Sequence, residues 1–185
     1  MSIVVLHGST RRNGNTETLT NQAVLGVKVE HIYLRDYEIK PIEDMRHEQS
    51  GFGHVNDSYN SIIERIMSHN ILIFATPIYW YSMTGKMKNF VDRWSQTIRD
   101  KNIQNFKRQM ERKKAFVIAV GGDEPSIKGL PLIQQFKYIF DFIGIDFSGY
   151  VLGKGNKPDD ILNDHQAMCT ASVLNKTLLE LERKE

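Results

Sequence analysis

Apolar residues fall along this chain in two rhythms. Three runs are unbroken, Ile3 to Leu6, Ile71 to Ala75 and Ala115 to Val120, and each is short. A run without alternation reads as a strand covered on both faces, as in a parallel sheet with helices above and below. Val27 to Leu34 alternates imperfectly through Val27, Val29, Ile32 and Leu34, and Phe147 to Leu152 is a last β-rich stretch; these make five strands. Between them apolar positions recur at helical spacing. Leu19, Ala23 and Val24 mark a helix from Thr16 that ends near Gly26, and Ile62, Ile63, Ile66 and Met67 mark one capped by Asp57 or Ser58. Further helices are predicted from Thr84 or Gly85 to Trp94, over 131–143 on Ile133, Phe136, Ile139, Phe140 and Ile143, and over 159–181. Five strands interleaved with helices predict an α/β protein with a doubly wound parallel sheet and right-handed crossovers. Ligands of such sheets lie beyond the C-terminal ends of the strands, where the winding reverses. The loops there are 9–16, 77–84 and 121–123.

Two stretches break the rhythm. Residues 35–56 lack periodicity and contain Pro41, Gly51 and Gly53, a long connection of the kind that carries function or mobility. Residues 102–114 are charged and basic towards the end, which reads as a solvated helix or linker face.

Composition narrows the class. At 185 residues, 41% hydrophobic and 25% charged, the chain suits one domain, 1–185, around one core. A net charge of +2 offers no basic footprint for nucleic acid. No apolar run approaches the roughly 20 residues that span a bilayer, and the first strand begins at once, so a cytoplasmic protein without signal peptide or membrane contact is expected. Cys169 is the single cysteine, which leaves no intrachain disulfide and no thiolate cluster; its place predicts packing in the last helix. His31, His47, His54 and His69 match no ligand spacing and read as solvated or packing residues.

The chemistry is concentrated in the first loop, Gly8-Ser9-Thr10-Arg11-Arg12-Asn13-Gly14-Asn15-Thr16. A strand that hands over to a helix through such a loop points backbone N–H groups and a helix N-terminus at one spot, which favours an anion. Ser9, Thr10 and Thr16 are potential donors to phosphate oxygens, and Arg11 or Arg12 can add a charge-assisted bond. The alternative is an ordinary turn with Thr16 as N-cap and solvated arginines. The loop is neither a Walker A sequence nor a G-x-G-x-x-G fingerprint.

This loop, together with Pro77-Ile78-Tyr79-Trp80-Tyr81-Ser82-Met83-Thr84-Gly85-Lys86-Met87-Lys88-Asn89-Phe90-Val91-Asp92-Arg93 and Gly121-Gly122, resembles the NAD(P)H-dependent FMN reductase family of flavodoxin-like proteins. The resemblance implies a three-layer flavodoxin-like sandwich, a five-stranded parallel sheet of order 2-1-3-4-5, with helices on both faces. It implies FMN as cofactor and NADPH or NADH as reductant. The phosphate would be held at Ser9, Arg11, Asn15 and Thr16, with Thr10 and Glu17 beside them. The flavin ring would meet Pro77, Ile78, Tyr79, Trp80 and Tyr81, with backbone N–H groups near Trp80 or Tyr81 at its N5, and Gly121 and Gly122 would let the backbone approach. No acid–base residue is expected to be catalytic, because the cofactor carries the chemistry: two-electron, ping-pong transfer to a small acceptor such as a quinone, azo compound, nitro compound or free flavin. Asp92 and Arg93 are expected to form a structural pair or a subunit contact. A homodimer or homotetramer is implied, with 35–56 and the aromatic loop as candidate contacts. Iron–sulfur flavoproteins of the same group carry cysteines after the second strand; here 41–56 contains none, so no cluster and no metal site is expected. A flavodoxin-type electron carrier usually has the strong acidity this chain lacks. A cofactor-free binding domain would need no phosphate loop.

Overall fold

In the computed structural model, which describes residues 1–103 and 105–183, β1 (Ile3–His7), β2 (Val29–Tyr33), β3 (Ile71–Pro77), β4 (Lys114–Gly121) and β5 (Asp146–Lys154) form one sheet. Its order is β2-β1-β3-β4-β5, and every pairing is parallel. The helices are α1 (Asn15–Ala23), α2 (Tyr59–Met67), α3 (Gly85–Asp92), α4 (Trp94–Thr97), α5 (Phe106–Met110), α6 (Pro125–Lys128), α7 (Leu130–Ile143) and α8 (His165–Glu182). This is the flavodoxin-like order.

The unbroken apolar runs are explained by two cores. Val4 and Leu6, Leu72 and Phe74, and Ala115, Val117 and Ala119 face the side covered by α2, α3, α4, α5 and α7. Their neighbours Ile3 and Val5, Ile71 and Ile73, and Phe116 and Ile118 face α1 and α8. Alternation is present in direction but not in polarity, because both faces are dry. Phe74 sits with ring centroids 5.5 Å from Phe136 and 5.2 Å from Phe140. Each such fully buried side chain contributes roughly 1.5–3 kcal/mol. The outer edge of the sheet at β5 is interrupted: a bulge between the partners of Ala115 and Phe116 breaks the register, and Asp164 accepts the Lys154 N–H at 2.8 Å. Both devices blunt an edge that would otherwise pair with another chain.

Several expectations are corrected. Residues 160–163 form a 3₁₀ turn rather than the start of the last helix, because Asp164 caps α8 by accepting from Ala167 N at 3.0 Å. Cys169 is exposed on α8 rather than packed. The basic stretch after 102, apart from Gln104, which lies outside the described residues, carries α5, whose Phe106 and Met110 are buried four residues apart, so only its Lys107 and Arg108 side is solvated.

Asp92 and Arg93 do not pair with each other. Asp92 accepts from Lys88 one turn back at 2.6 Å. Arg93 turns inward, 1% exposed, and donates to Asp57 at 2.6 Å, to the Lys40 carbonyl at 3.2 Å and to Gln96 at 2.7 Å. Its guanidinium lies 4.5 Å from the Tyr59 ring centroid. Asp57 also accepts from the N–H groups of Lys40 and Tyr59. Burial works against the Asp57 charge, but these hydrogen bonds and Arg93 outweigh it and lower its pKa. This knot ties α3 to the 35–56 connection. Among the described residues no helix is long and apolar enough to cross a membrane.

Candidate functional site

The C-terminal ends of β1 and β3 converge through one threonine. Thr84 caps α3 by accepting from Met87 N at 3.3 Å, donates to the Gly8 carbonyl at 2.8 Å, and its own N–H donates to Thr76 Oγ1 at 3.3 Å. A Cβ at Gly8 would stand 3.0 Å from Thr84 Oγ1 and 3.1 Å from Met87, so any larger residue there would push against the Thr84 cap. Beyond it the Ser9 hydroxyl accepts from Arg11 N at 3.2 Å, and Asn13 adopts a left-handed conformation, φ 52°.

α1 starts at Asn15 with Gly14 as its cap, so Thr16 is not the N-cap. Its first intrahelical bond is Thr18 N to the Gly14 carbonyl, 3.0 Å, which leaves the N–H groups of Asn15, Thr16 and Glu17 as the positive end of the helix. The two arginines divide. Arg12 is held by Asp36 at 2.9 Å. The Arg11 guanidinium has no partner among the described residues, and its stem packs over Gly14, where a Cβ would lie 3.4 Å from Arg11 Cδ.

Behind the loop stands a polar stack that the sequence did not disclose. Glu17 accepts from Asn13 N at 3.0 Å and lies 3.4 Å from Arg35. Arg35 also donates to the Arg11 carbonyl at 3.1 Å and lies 4.2 Å from the Tyr33 ring centroid. On the other face of Tyr33, His7 stacks at 4.4 Å and shares a 2.9 Å hydrogen bond with His31. Burial, then the Glu17 charge and hydrogen bond, raise the Tyr33 pKa. Burial above all, then the charges of His31 and Arg35, push His7 down to about 3.

Unfolded His7 takes a proton near pH 6.5 while the folded residue refuses it, so stability is lost as pH falls from about 6.5 towards 3. The loss is on the order of a few kcal/mol. Denaturant midpoints measured from pH 7 to 4 are expected to fall more steeply for the wild type than for His7→Gln. Parallel profiles would contradict the assignment.

A hollow of about 230 Å³ is lined by Ser9, Arg11, Gly14, Asn15, Thr16, Pro77, Ile78, Tyr79, Val120, Gly121, Gly122, Gly155 and Asn156. Of the residues expected from sequence, Ser9, Arg11, Asn15, Thr16, Pro77, Ile78, Tyr79, Gly121 and Gly122 meet there. Thr10 is exposed and outside the lining, and Glu17 is spent on the loop backbone and Arg35. The Asn15 amide turns away, donating to the Lys157 carbonyl at 2.7 Å and accepting from Ile161 N at 3.4 Å; Asn15 is left with its backbone N–H for the hollow. Gly155 and Asn156 were missed. The signal was the Gly155-Asn156 turn after β5, where a Cβ on Gly155 would lie 2.7 Å from Asn15 Nδ2.

A second hollow of about 160 Å³ adjoins at Ile78, Gly121 and Gly122 and reaches Trp80, Tyr81, Asp123, Lys128 and Gly129. Its rim is a two-residue turn in which Tyr79 and Ser82 exchange both backbone hydrogen bonds, 3.0 Å each. Trp80 and Tyr81 both have positive φ, 49° and 62°, the type I′ pattern that glycine and asparagine usually serve. Holding two aromatic residues there costs on the order of 1–2 kcal/mol each. The result is a Trp80 side chain 94% exposed. Tyr81 Oη donates to Asp123 at 3.0 Å, and Asp123 is also held by Lys128 at 2.7 Å. The N–H groups of Trp80 and Tyr81 have no partner among the described residues.

A dianionic phosphate fits the first hollow: the Arg11 guanidinium and the Thr16 hydroxyl, both without a partner among the described residues, and the start of a helix meet beside two glycines. A β-carbon on those glycines would stand 3.1 Å from Ile78 and 3.3 Å from Asn156.

Comparisons with known proteins agree. The family model for NADPH-dependent FMN reductases matches residues 1–142. The protein named NAD(P)H-dependent FMN-containing oxidoreductase YwqN in Bacillus subtilis is 61% identical over 176 residues, 95% of this chain and 97% of that one. An iron–sulfur flavoprotein of Methanocaldococcus jannaschii is 26% identical over 98% of this chain and 97% of its own. Among solved structures, a Trp repressor binding protein from Bacillus subtilis superposes with a TM-score of 0.80 at 54% identity, covering 94% of this chain and 97% of that one. The chain belongs to the NADPH-dependent FMN reductase family.

Proposed function

We propose that this FMN-dependent NAD(P)H oxidoreductase reduces a small, flat aromatic acceptor that enters between Trp80 and the flavin ring carried by the Gly121-Gly122 backbone. The cofactor's place rests on the Arg11 guanidinium, without a partner among the described residues, at the N-terminal end of α1, and the observation that carries the acceptor reading is Trp80, 94% exposed at the rim of the adjoining hollow. Bound FMN supplies two-electron transfer from reduced nicotinamide to the acceptor. The protein's part is positional. Arg11, the Thr16 hydroxyl and the first N–H groups of α1 hold the phosphate. Glu17 and Arg35 hold the loop from behind, and Ser9 fixes its turn. The free N–H groups of Trp80 and Tyr81 serve the ring edge, and Ile78, Gly121 and Gly122 form its bed. Asp123 and Lys128 keep Tyr81 in place and so the turn that presents Trp80.

Quinones, azo compounds, nitroaromatics and free flavin all offer the flat face that an exposed indole recognises. A homodimer or homotetramer fits the same reading, with the aromatic loop and the 35–56 connection at the contact. The test is anaerobic reduction by NADH or NADPH followed by mixing with a benzoquinone, an azo dye, a nitroaromatic and free FMN. At least one is expected to restore the oxidised spectrum, and Trp80→Ala is expected to raise its KM several-fold. A Trp80→Ala protein with unaltered KM for every acceptor would remove the role assigned to this residue.

A further inference from the structure

We propose that the groove along the outer edge of β5 binds the adenosine half of the nicotinamide reductant, an assignment that rests on the oxidoreductase reading above. The groove encloses about 700 Å³, within the range of nucleotide-sized ligand sites. It shares Gly122, Gly155 and Asn156 with the phosphate hollow. It also meets the ring hollow at Gly122, so a dinucleotide whose reactive ring lies over the flavin at Gly121-Gly122 runs into it without leaving the surface.

The lining has the chemistry of a nucleoside site. Tyr150, 45% exposed, and Leu152 supply an apolar floor with an aromatic face. The amides of Asn156, Asn163 and Gln166 have no hydrogen-bond partner among the described residues. Free amides match the paired donor and acceptor on the edge of adenine. The carboxylates divide as the arginines do. Asp160 accepts from Asn156 N and Lys157 N, and Asp164 from Ala167 N and Lys154 N, so both are spent on the backbone. Glu124, 3.7 Å from Lys128 at the rim, is left to accept from ribose hydroxyls, the task an acidic residue performs in dinucleotide sites. Lys154 makes no ion pair among the described residues and is the cation available to the pyrophosphate.

The test uses the FMN-loaded chain and two surface variants, Tyr150→Ala and Gln166→Ala. ADP-ribose, which carries the adenosine and both phosphates but no redox ring, is titrated by calorimetry. Saturable binding is expected in the wild type, weakened about tenfold in Tyr150→Ala by loss of base stacking. In steady state the KM for NADH is expected to rise by a similar factor in that variant, with the KM for reduced nicotinamide mononucleotide unchanged. Equal changes for both reductants, or ADP-ribose binding that ignores both variants, would overturn the assignment. A shifted elution volume with an unchanged ratio of the two KM values would give the groove to a second copy of the chain and overturn it as well. If the wild type is reduced by neither reductant, the oxidoreductase reading fails, and ADP-ribose binding still decides the groove.

Discussion

Arg93→Met is expected to destabilise the protein by about 3–5 kcal/mol, the cost of leaving a buried charge without its partner. Asp57 and Arg93 each have side chains 1% exposed, 2.6 Å apart. Methionine keeps much of the volume against Tyr59 but strands the carboxylate. At roughly 2–4 °C per kcal/mol for a chain of this size, the melting temperature should fall by about 10 °C. The double variant Arg93→Met/Asp57→Asn should recover part of the loss, because no charge remains buried; the recovery is partial because Lys40 N and Tyr59 N donate to different carboxylate oxygens and the amide keeps only one acceptor. A double variant no more stable than the single one would contradict this account. The pair also has a pH signature. The Asp57 pKa is lowered in the folded state, so its contribution is present above about pH 4 and is lost as pH falls below that.

The sheet was legible because β1, β3 and β4 are apolar on both faces, a pattern that a half-solvated sheet does not produce. The convergence of three loops followed from topology alone. What stayed hidden depends on side-chain direction, which residue type does not encode. Arg11 and Arg12 are equivalent in sequence; only the position of Asp36, on the turn after β2, separates them. Asn15 reads as a phosphate ligand until the 155–161 segment is folded against it. His7 and His31 are 24 positions apart and become partners through the parallel pairing of β1 with β2, where His31 sits opposite Val5. Asp92-Arg93 looked like a pair because the two are adjacent. On a helix adjacent residues point some 100° apart, and each found its partner elsewhere. Thr84 was placed as a helix start; its second hydrogen bond, to Gly8 in another loop, has no local signature.

Arg11→Ala acts on the phosphate hollow and separates the two ends of the flavin nucleotide. The purified chain, stripped of flavin, is titrated with FMN and with riboflavin, which differs only by the phosphate, in the wild type and in Arg11→Ala. Hydrogen bonds to charged groups contribute about 1.5–3 kcal/mol, so Arg11→Ala is expected to weaken FMN ten- to hundredfold. Arg11 lies on the surface and supports no other side chain among the described residues, so stability should be unaffected. Riboflavin should bind the wild type more weakly than FMN and be indifferent to the substitution. The account predicts that pattern, a yellow FMN complex bleached by reduced nicotinamide and a loss in Arg11→Ala confined to the phosphorylated ligand. Equal affinity for FMN and riboflavin in the wild type, or equal losses for both in Arg11→Ala, would contradict it.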